Sequence, residues 1–315
     1  MDSRVIRRVL LGWILLLLLV ALAGRVSVAA TGSGRTAADF LSIGVGAGAA
    51  GMSGAYTAVC DNALAAYWNP AGLTGVVGGE AALGHFAWFQ DITLEHGTVA
   101  YKASDHTALA ASMTFLNYGR IEGYDENGVV TGDIAAYDWC GAVSVGTELS
   151  DNFSLGVSGK LINQKLDDLS GTALAADLGI RYQTDRLIVA VAVANLGTDI
   201  TLGGVSERLP MTVRIGIAGH PLHPSLLSSL ELERKVYGET IVRNGLEAGI
   251  DDRYFLRTGI SYYPSVTDRP LGPGITLGAG VRLAWGQIDY AFTPQEQYSS
   301  ETLHRLSVSF KFSQH

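Results

Sequence analysis

Histidines, paired acids and a glycine-rich loop are the residues of this chain whose types and spacing invite a chemical reading. His220 and His223 stand in Gly-His-Pro-Leu-His-Pro. The two prolines mark a turn and no third or fourth ligand is in sight, so a metal centre is not expected. His85, Asp91 and His96 flank one tight connection. An acyl-transfer triad there would also need an activated serine, and no G-x-S-x-G elbow occurs in the chain. Asp125-Glu126-Asn127-Gly128 begins like a calcium loop, but the remaining ligand positions are missing. Asn127-Gly128, between Ile121 and Val130, fits instead a type I′ turn that closes a hairpin. Gly46, Gly48 and Gly51 satisfy G-x-G-x-x-G. A dinucleotide site would need that loop inside a βαβ unit, and the chain that follows reads as strands. No catalytic residue, no metal and no cofactor is expected.

The elements that must position any site are strands of alternating character. Leu187, Val189, Val191 and Val193 interleave with the small Ala190, Ala192 and Ala194. Ile275, Leu277, Ala279, Val281 and Leu283 interleave with Thr276, Gly278, Gly280 and Arg282. That period belongs to a strand and not to a helix. Strands are expected near 80–90, 95–103, 106–118, 136–148, 152–165, 172–184, 186–196, 209–219, 225–236, 243–252, 254–264, 274–284, 286–294 and 303–312. Their connections alternate in length, with the first hairpin at 90–93 as the exception: short at 104–105, 150–151, 184–185, 220–224, 252–253 and 285–286, and long at 119–135, 197–208, 264–273 and 294–302. A transmembrane barrel with short periplasmic turns and long outer loops has this parity, and a soluble sandwich has no need of it.

The N-terminus reads as a secretory signal over residues 1–30. Arg4, Arg7 and Arg8 precede an apolar run from Val9 to Ala23, and Val28-Ala29-Ala30 offers a small-residue cleavage site. The run falls short of the ~20 apolar residues a spanning helix needs. Residues 31–79 are rich in Ala and Gly and do not read as strand; a compact plug inside a barrel of residues 80–315 fits them. The last strand alternates Leu306, Val308, Phe310 and Phe312 with small or charged residues. Tyr262, Trp285, Tyr290 and Phe292 fall near strand ends, where aromatic girdles belong. The formal net charge is −8, and more acidic once the arginines of the leader are removed, which argues against a nucleic-acid partner. The expected fold is an all-β transmembrane antiparallel barrel of about fourteen strands, placed in the outer membrane of a Gram-negative-type bacterium.

With the apolar face turned to lipid, the charges left on the opposite face line the lumen: Lys160, Arg214, Glu231, Glu233, Glu247, Arg257, Arg282, Asp289, Arg305 and Lys311. Opposite signs there should pair across the lumen or meet water. Cys60 lies in the plug segment and Cys140 on the lumen face of a strand. In an oxidising periplasm the two either bond and tie plug to wall or stand as two buried free thiols.

Several runs then carry a resemblance. Phe40-Leu41-Ser42-Ile43-Gly44-Val45-Gly46, Gly51-Met52-Ser53-Gly54-Ala55-Tyr56-Thr57-Ala58-Val59 and Trp68-Asn69-Pro70-Ala71-Gly72-Leu73, with Trp88-Phe89-Gln90-Asp91-Ile92 beyond them, resemble the PorV/PorQ family of outer-membrane barrels. That family is similar to the FadL-type transporters. The resemblance implies fourteen strands and an N-terminal hatch whose motif residues here are Gly44, Gly46, Gly51, Met52, Gly54, Tyr56, Asp61, Asn69, Pro70 and Gly72. Gly48 departs from the pattern, standing where the family usually has an arginine, and Cys60-Asp61-Asn62 stands where it tends to have Ala-Asp-Asp. For function the resemblance implies a secretion-associated barrel that binds a cargo or secretion-machinery protein, or a FadL-type channel that passes a hydrophobic small molecule. Outer-membrane lipid is the partner common to both.

Overall fold

The alternation of large apolar and small or polar residues builds a sheet that curls until its first and last strands meet. The computed structural model describes residues 36–88, 91–264, 274–294 and 303–312; the expected leader and the tips of two long loops lie outside them. The strands are β1 (Gly79–Ala87), β2 (Thr93–Lys102), β3 (Thr107–Asn117), β4 (Ile121–Tyr124), β5 (Val130–Ile134), β6 (Ala136–Ser150), β7 (Phe153–Leu166), β8 (Leu169–Gln183) and β9 (Leu187–Gly197). They continue as β10 (Ile200–Leu202), β11 (Val205–Glu207), β12 (Thr212–Gly219), β13 (Leu226–Lys235), β14 (Thr240–Ile250), β15 (Tyr254–Tyr262), β16 (Thr276–Leu283), β17 (Gly286–Thr293) and β18 (Leu303–Phe312). Fourteen of them form a closed antiparallel barrel in chain order, sealed by β1 against β18, where Leu83 faces Val308. The pairs β4–β5 and β10–β11 are hairpins standing within the long connections.

The barrel is apolar outside and polar inside. Val143 is 67% exposed while Glu231 is 0% exposed, the reverse of a soluble barrel and the pattern of one bathed in lipid. Leu83, Val99, Leu174, Leu256 and Leu277 share the outer face. Ser158, Asp177, Arg214 and Thr276 are buried on the inner one. Among the described residues no helix is long and apolar enough to cross a membrane; the crossing elements are the strands.

The expected strands match those observed, with small shifts that have local causes. The strand expected at 209–219 begins at Thr212, because Pro210 has no N–H for a ladder; its carbonyl accepts instead from Asn195 Nδ2 and Thr212 Oγ1. The hairpin expected around Asn127-Gly128 forms, but not with a type I′ turn, which needs two left-handed residues. Gly128 alone has positive φ, at 77°. Asp125 organises the tip instead: its Oδ1 accepts the N–H groups of Asn127 and Val129, each at 2.8 Å. Amide donation, first from Val129, holds this exposed carboxyl below its ordinary range.

Residues 36–78 form no barrel strand. They run through the 3-10 turn Asp39–Ser42, the short helices Ala47–Gly51 and Ala65–Trp68, and the 3-10 helix Pro70–Gly75. The last opens on Asn69, whose Oδ1 accepts the Ala71 N–H at 3.1 Å, with Pro70 at the first position, where its missing N–H costs nothing. This segment packs against the lumen face wherever the strands lack side chains. A Cβ on Gly156 would strike Pro70 and Ala71, one on Gly259 would strike Met52, and one on Gly278 would lie 2.9 Å from Gly51 Cα. Inward alanines do the same work: Ala190 and Ala218 pack on Ala58. That contact explains the small partners of the valines in β9.

Both cysteines are free and buried, so the bond left open by the sequence is not formed. Cys140 does face the lumen, and is 5% exposed. Cys60 is turned into its own segment, its thiol pointing to Asn62 Oδ1 at 3.5 Å and its carbonyl lying against Gly72. Burial pushes the Cys60 thiol well above its usual range.

Candidate functional site

The N-terminal segment meets the barrel wall through charge as well as through small residues. Lys160 on β7 forms a 2.6 Å ion pair with Asp177 on β8 and donates to Asn195 Oδ1 at 2.9 Å. Asp177 in turn accepts the Asn195 N–H at 2.8 Å. Asn195 has φ 61°, and the β8–β9 register shifts between Ala176 and Leu178. This bulge aims a backbone donor at the carboxylate.

Two further clusters lie on the other side of the lumen. Glu233 on β13 is shared by Arg214 Nε at 3.1 Å and Arg243 Nη2 at 3.4 Å. Its neighbour Glu231 faces the segment itself and accepts the N–H groups of Tyr56 (3.1 Å) and Thr57 (2.8 Å). Arg257 on β15 sits between Glu247 and Asp289, 2.6 Å from each. Buried pairs of this kind hold only where further hydrogen bonds satisfy the remaining donors and acceptors; Asn195 supplies them to Lys160 and Asp177, and the segment's amides satisfy Glu231. Gly48 lies beneath Arg257: a Cβ there would be 3.4 Å from the guanidinium carbon. The wall therefore places an arginine where the motif resemblance leads one to look for it on the segment.

The other motif residues converge on the same contact. Gly44 donates nothing to side-chain packing but offers its carbonyl to Arg305 Nη1 at 2.8 Å. Gly46 and Gly54 take φ of 85° and 80°, the left-handed turns that bracket the helix Ala47–Gly51. Met52 is fully buried, and Asn69 reaches the wall by donating Nδ2 to the Ile180 carbonyl at 3.1 Å. Asp61 alone of the set is exposed. Of the expected lumen charges, Arg282 stands at the rim, exposed, 4.6 Å over the Phe255 ring; Lys311 is exposed at the same end. Sequence reasoning missed Asp177, Arg181 and Arg243, and read His96 only as flanking the first tight connection. All four lie on the inward parity of their strands; His96 is buried between Thr98 and Thr114 hydroxyls at 2.7 and 2.9 Å.

Two cavities flank the segment at opposite ends of the barrel. One, of about 280 Å³, opens between Ile43, Gly44 and Trp68 of the segment and the long-loop ends of β1, β14 and β18, at Phe86, Arg243 and Arg305. The other, of about 410 Å³, lies between Tyr56, Asp61 and Gly75 and the short-turn ends of β1, β16, β17 and β18, at Glu80, Arg282, Gln287 and Lys311. Between them the lumen is filled by the segment and its ion pairs. The segment thus stands between two separate cavities.

Known proteins bear on this geometry. A family model described as an uncharacterised protein family, UPF0164, matches residues 19–313. No curated protein matches the chain. Among solved structures, the Ralstonia pickettii toluene transporter TbuX superposes with TM-score 0.61 at 14% identity, over 85% of this chain and 98% of that one. A Pseudomonas aeruginosa FadL homologue gives TM-score 0.57 at 14% identity with the same coverage, 85% and 98%. The CymD monoaromatic hydrocarbon channel gives 0.59 at 13% identity, covering 86% and 98%. At such identities the likeness establishes the shared barrel and nothing of what passes through it.

Proposed function

The chain belongs to the UPF0164 family, and on that footing we propose that it is an outer-membrane channel for hydrophobic small molecules in which the N-terminal segment is the hatch. Residues 1–30 are then its secretion signal, 31–79 the hatch and 80–315 the barrel, with lipid against the apolar belt. The observation that carries this reading is the pair of cavities, about 280 and 410 Å³, on either side of one buried segment. A protein that only docked partners on its loops would have no use for space at both faces of its filling. Two of the named neighbours are a toluene transporter and a monoaromatic hydrocarbon channel, and this agrees with the reading. The secretion role implied by the PorV/PorQ resemblance rests on the motif runs of residues 40–92 alone.

The test is uptake of an apolar fluorophore such as N-phenyl-1-naphthylamine by bacteria with an intact outer membrane, stripped of their own channels of this kind. Cells producing the protein should brighten several-fold faster than cells producing an unrelated barrel of equal strand number. Equal rates, together with a stoichiometric protein partner on gentle purification, would overturn the channel reading in favour of the secretion one.

A further inference from the structure

Among the described residues, the lining of the cavity at the long-loop end carries more basic than acidic side chains. Arg214, Arg243, Arg305 and Lys235 line it, and Glu233 is its one lining carboxylate among the described residues. Lys235 is answered by Glu239 at 3.0 Å, outside the cavity. Arg214 and Arg243 share Glu233. Glu231, opposite Arg243 in the β13–β14 ladder, accepts the amides of Tyr56 and Thr57 through Oε2 and keeps Oε1 buried without a hydrogen bond, so its charge also stands against Arg214 and Arg243. Arg305 has no carboxylate within ion-pair distance among the described residues. Its guanidinium lies 4.2 Å over the Phe86 ring and donates Nη1 to the Gly44 carbonyl. Its Nε, like Nη1 of Arg243, is buried without a hydrogen-bond partner.

Three guanidinium groups set against Glu233 and Glu231 leave one charge in excess among the described residues, that of Arg305, and in a partly dry space it favours an anion that completes the set. The rest of the lining sets what must be attached to that anion. Trp68, Phe86 and Trp88 stand around it, with Ile43, Ile241 and Leu303. Phe86 and Trp88 lie 5.6 Å apart, centroid to centroid, with planes tilted by 36°. Aromatic walls of this kind take a flat apolar body, and about 280 Å³ is the scale of a small solute and not of a long chain.

We propose that this cavity is a binding site for a small aromatic carboxylate, with Arg305 meeting the carboxylate and the three aromatic side chains meeting the ring. The inference rests on the channel reading and sharpens it: the solute selected at the long-loop face is an organic monoanion, not a bare hydrocarbon.

Benzoate and toluene differ only in the group at issue and serve as the probe pair. Their binding to the full-length mature protein in phosphatidylcholine nanodiscs is followed by calorimetry and by tryptophan fluorescence, at fixed chloride. Benzoate should bind at least ten-fold more tightly than toluene, and R305M should abolish that preference. R120Q, in the outer hairpin, should change neither. The wild-type comparison needs no variant, so a folding defect in R305M leaves the proposal exposed to refutation. Toluene binding as tightly as benzoate would overturn the anion site and leave the hydrocarbon channel standing. Benzoate binding unchanged by R305M would overturn the assignment to this cavity. Binding of neither probe would overturn the site, with the channel reading then judged by fluorophore uptake alone.

Discussion

Lys160 and Asp177 are a deeply enclosed ion pair of the lumen, with side chains 7% and 2% exposed. Replacing the lysine by an apolar residue of similar length strands a carboxylate among Asn195 and the wall. K160M should lower the stability of the barrel by about 3–5 kcal/mol, the cost of an uncompensated buried charge. K160M/D177N should recover much of that loss. Urea unfolding in lipid vesicles checks both, and a K160M barrel as stable as the parent would show that the pair carries no weight. At this scale the sequence discloses which charges face inward, because period 2 decides it: Arg243 shares its parity with Glu247, and Asp177 with Arg181. It does not disclose who meets whom. Arg257 pairs with Glu247 on the neighbouring strand but also with Asp289, beyond β16. The reach past β16 depends on Gly280, where a Cβ would lie 2.9 Å from the Arg257 Nη1. Such diagonal contacts follow from register and twist, which no single strand encodes.

Among the elements, the outer hairpin β4–β5 is the one whose order depends on a single side chain. Asp125 Oδ1 accepts two N–H groups and the Asp125 N–H donates to the Val129 carbonyl at 2.9 Å. D125A should therefore speed hydrogen exchange at the amides of Asn127 and Val129 without altering protection in the barrel strands. Because the carboxyl sits below its ordinary range, the order it lends is present above the unfolded value and is lost as pH falls through the lower, folded one. Unchanged exchange at both amides in D125A would refute the capping role. Strand positions were legible because each apolar run is bounded by a turn signal. The β10–β11 hairpin was not, since Ile200–Leu202 and Val205–Glu207 are too short to show a period. The type of turn at Asn127-Gly128 was misjudged for a reason of competition: an acid two residues earlier captured the amides that a type I′ turn leaves free.

For the molecule as a whole, the closed barrel and the inward segment follow from the same pattern. Small residues on the segment, and glycines on the inner face of the wall, let backbone lie on backbone. The motif runs of residues 40–92 encode that packing, through Asn69 as a cap and Gly51 and Met52 against Gly278 and Gly259. Packing of this kind serves any barrel that carries an internal segment, whatever its cargo. The resemblance could thus point to a secretion partner while solved structures of like shape include a toluene transporter and a monoaromatic hydrocarbon channel. The proposed channel requires the segment to open and close the path, and one contact offers a direct handle on that motion. Ser53 Oγ on the segment lies 2.7 Å from Ser261 Oγ on β15, so S53C/S261C should form a bond between hatch and wall. The measurement is fluorophore uptake by cells producing this variant, before and after reduction. Uptake should be arrested while the bond is closed and return to the parental rate when it is reduced. Parental uptake with the bond fully formed would contradict a moving hatch.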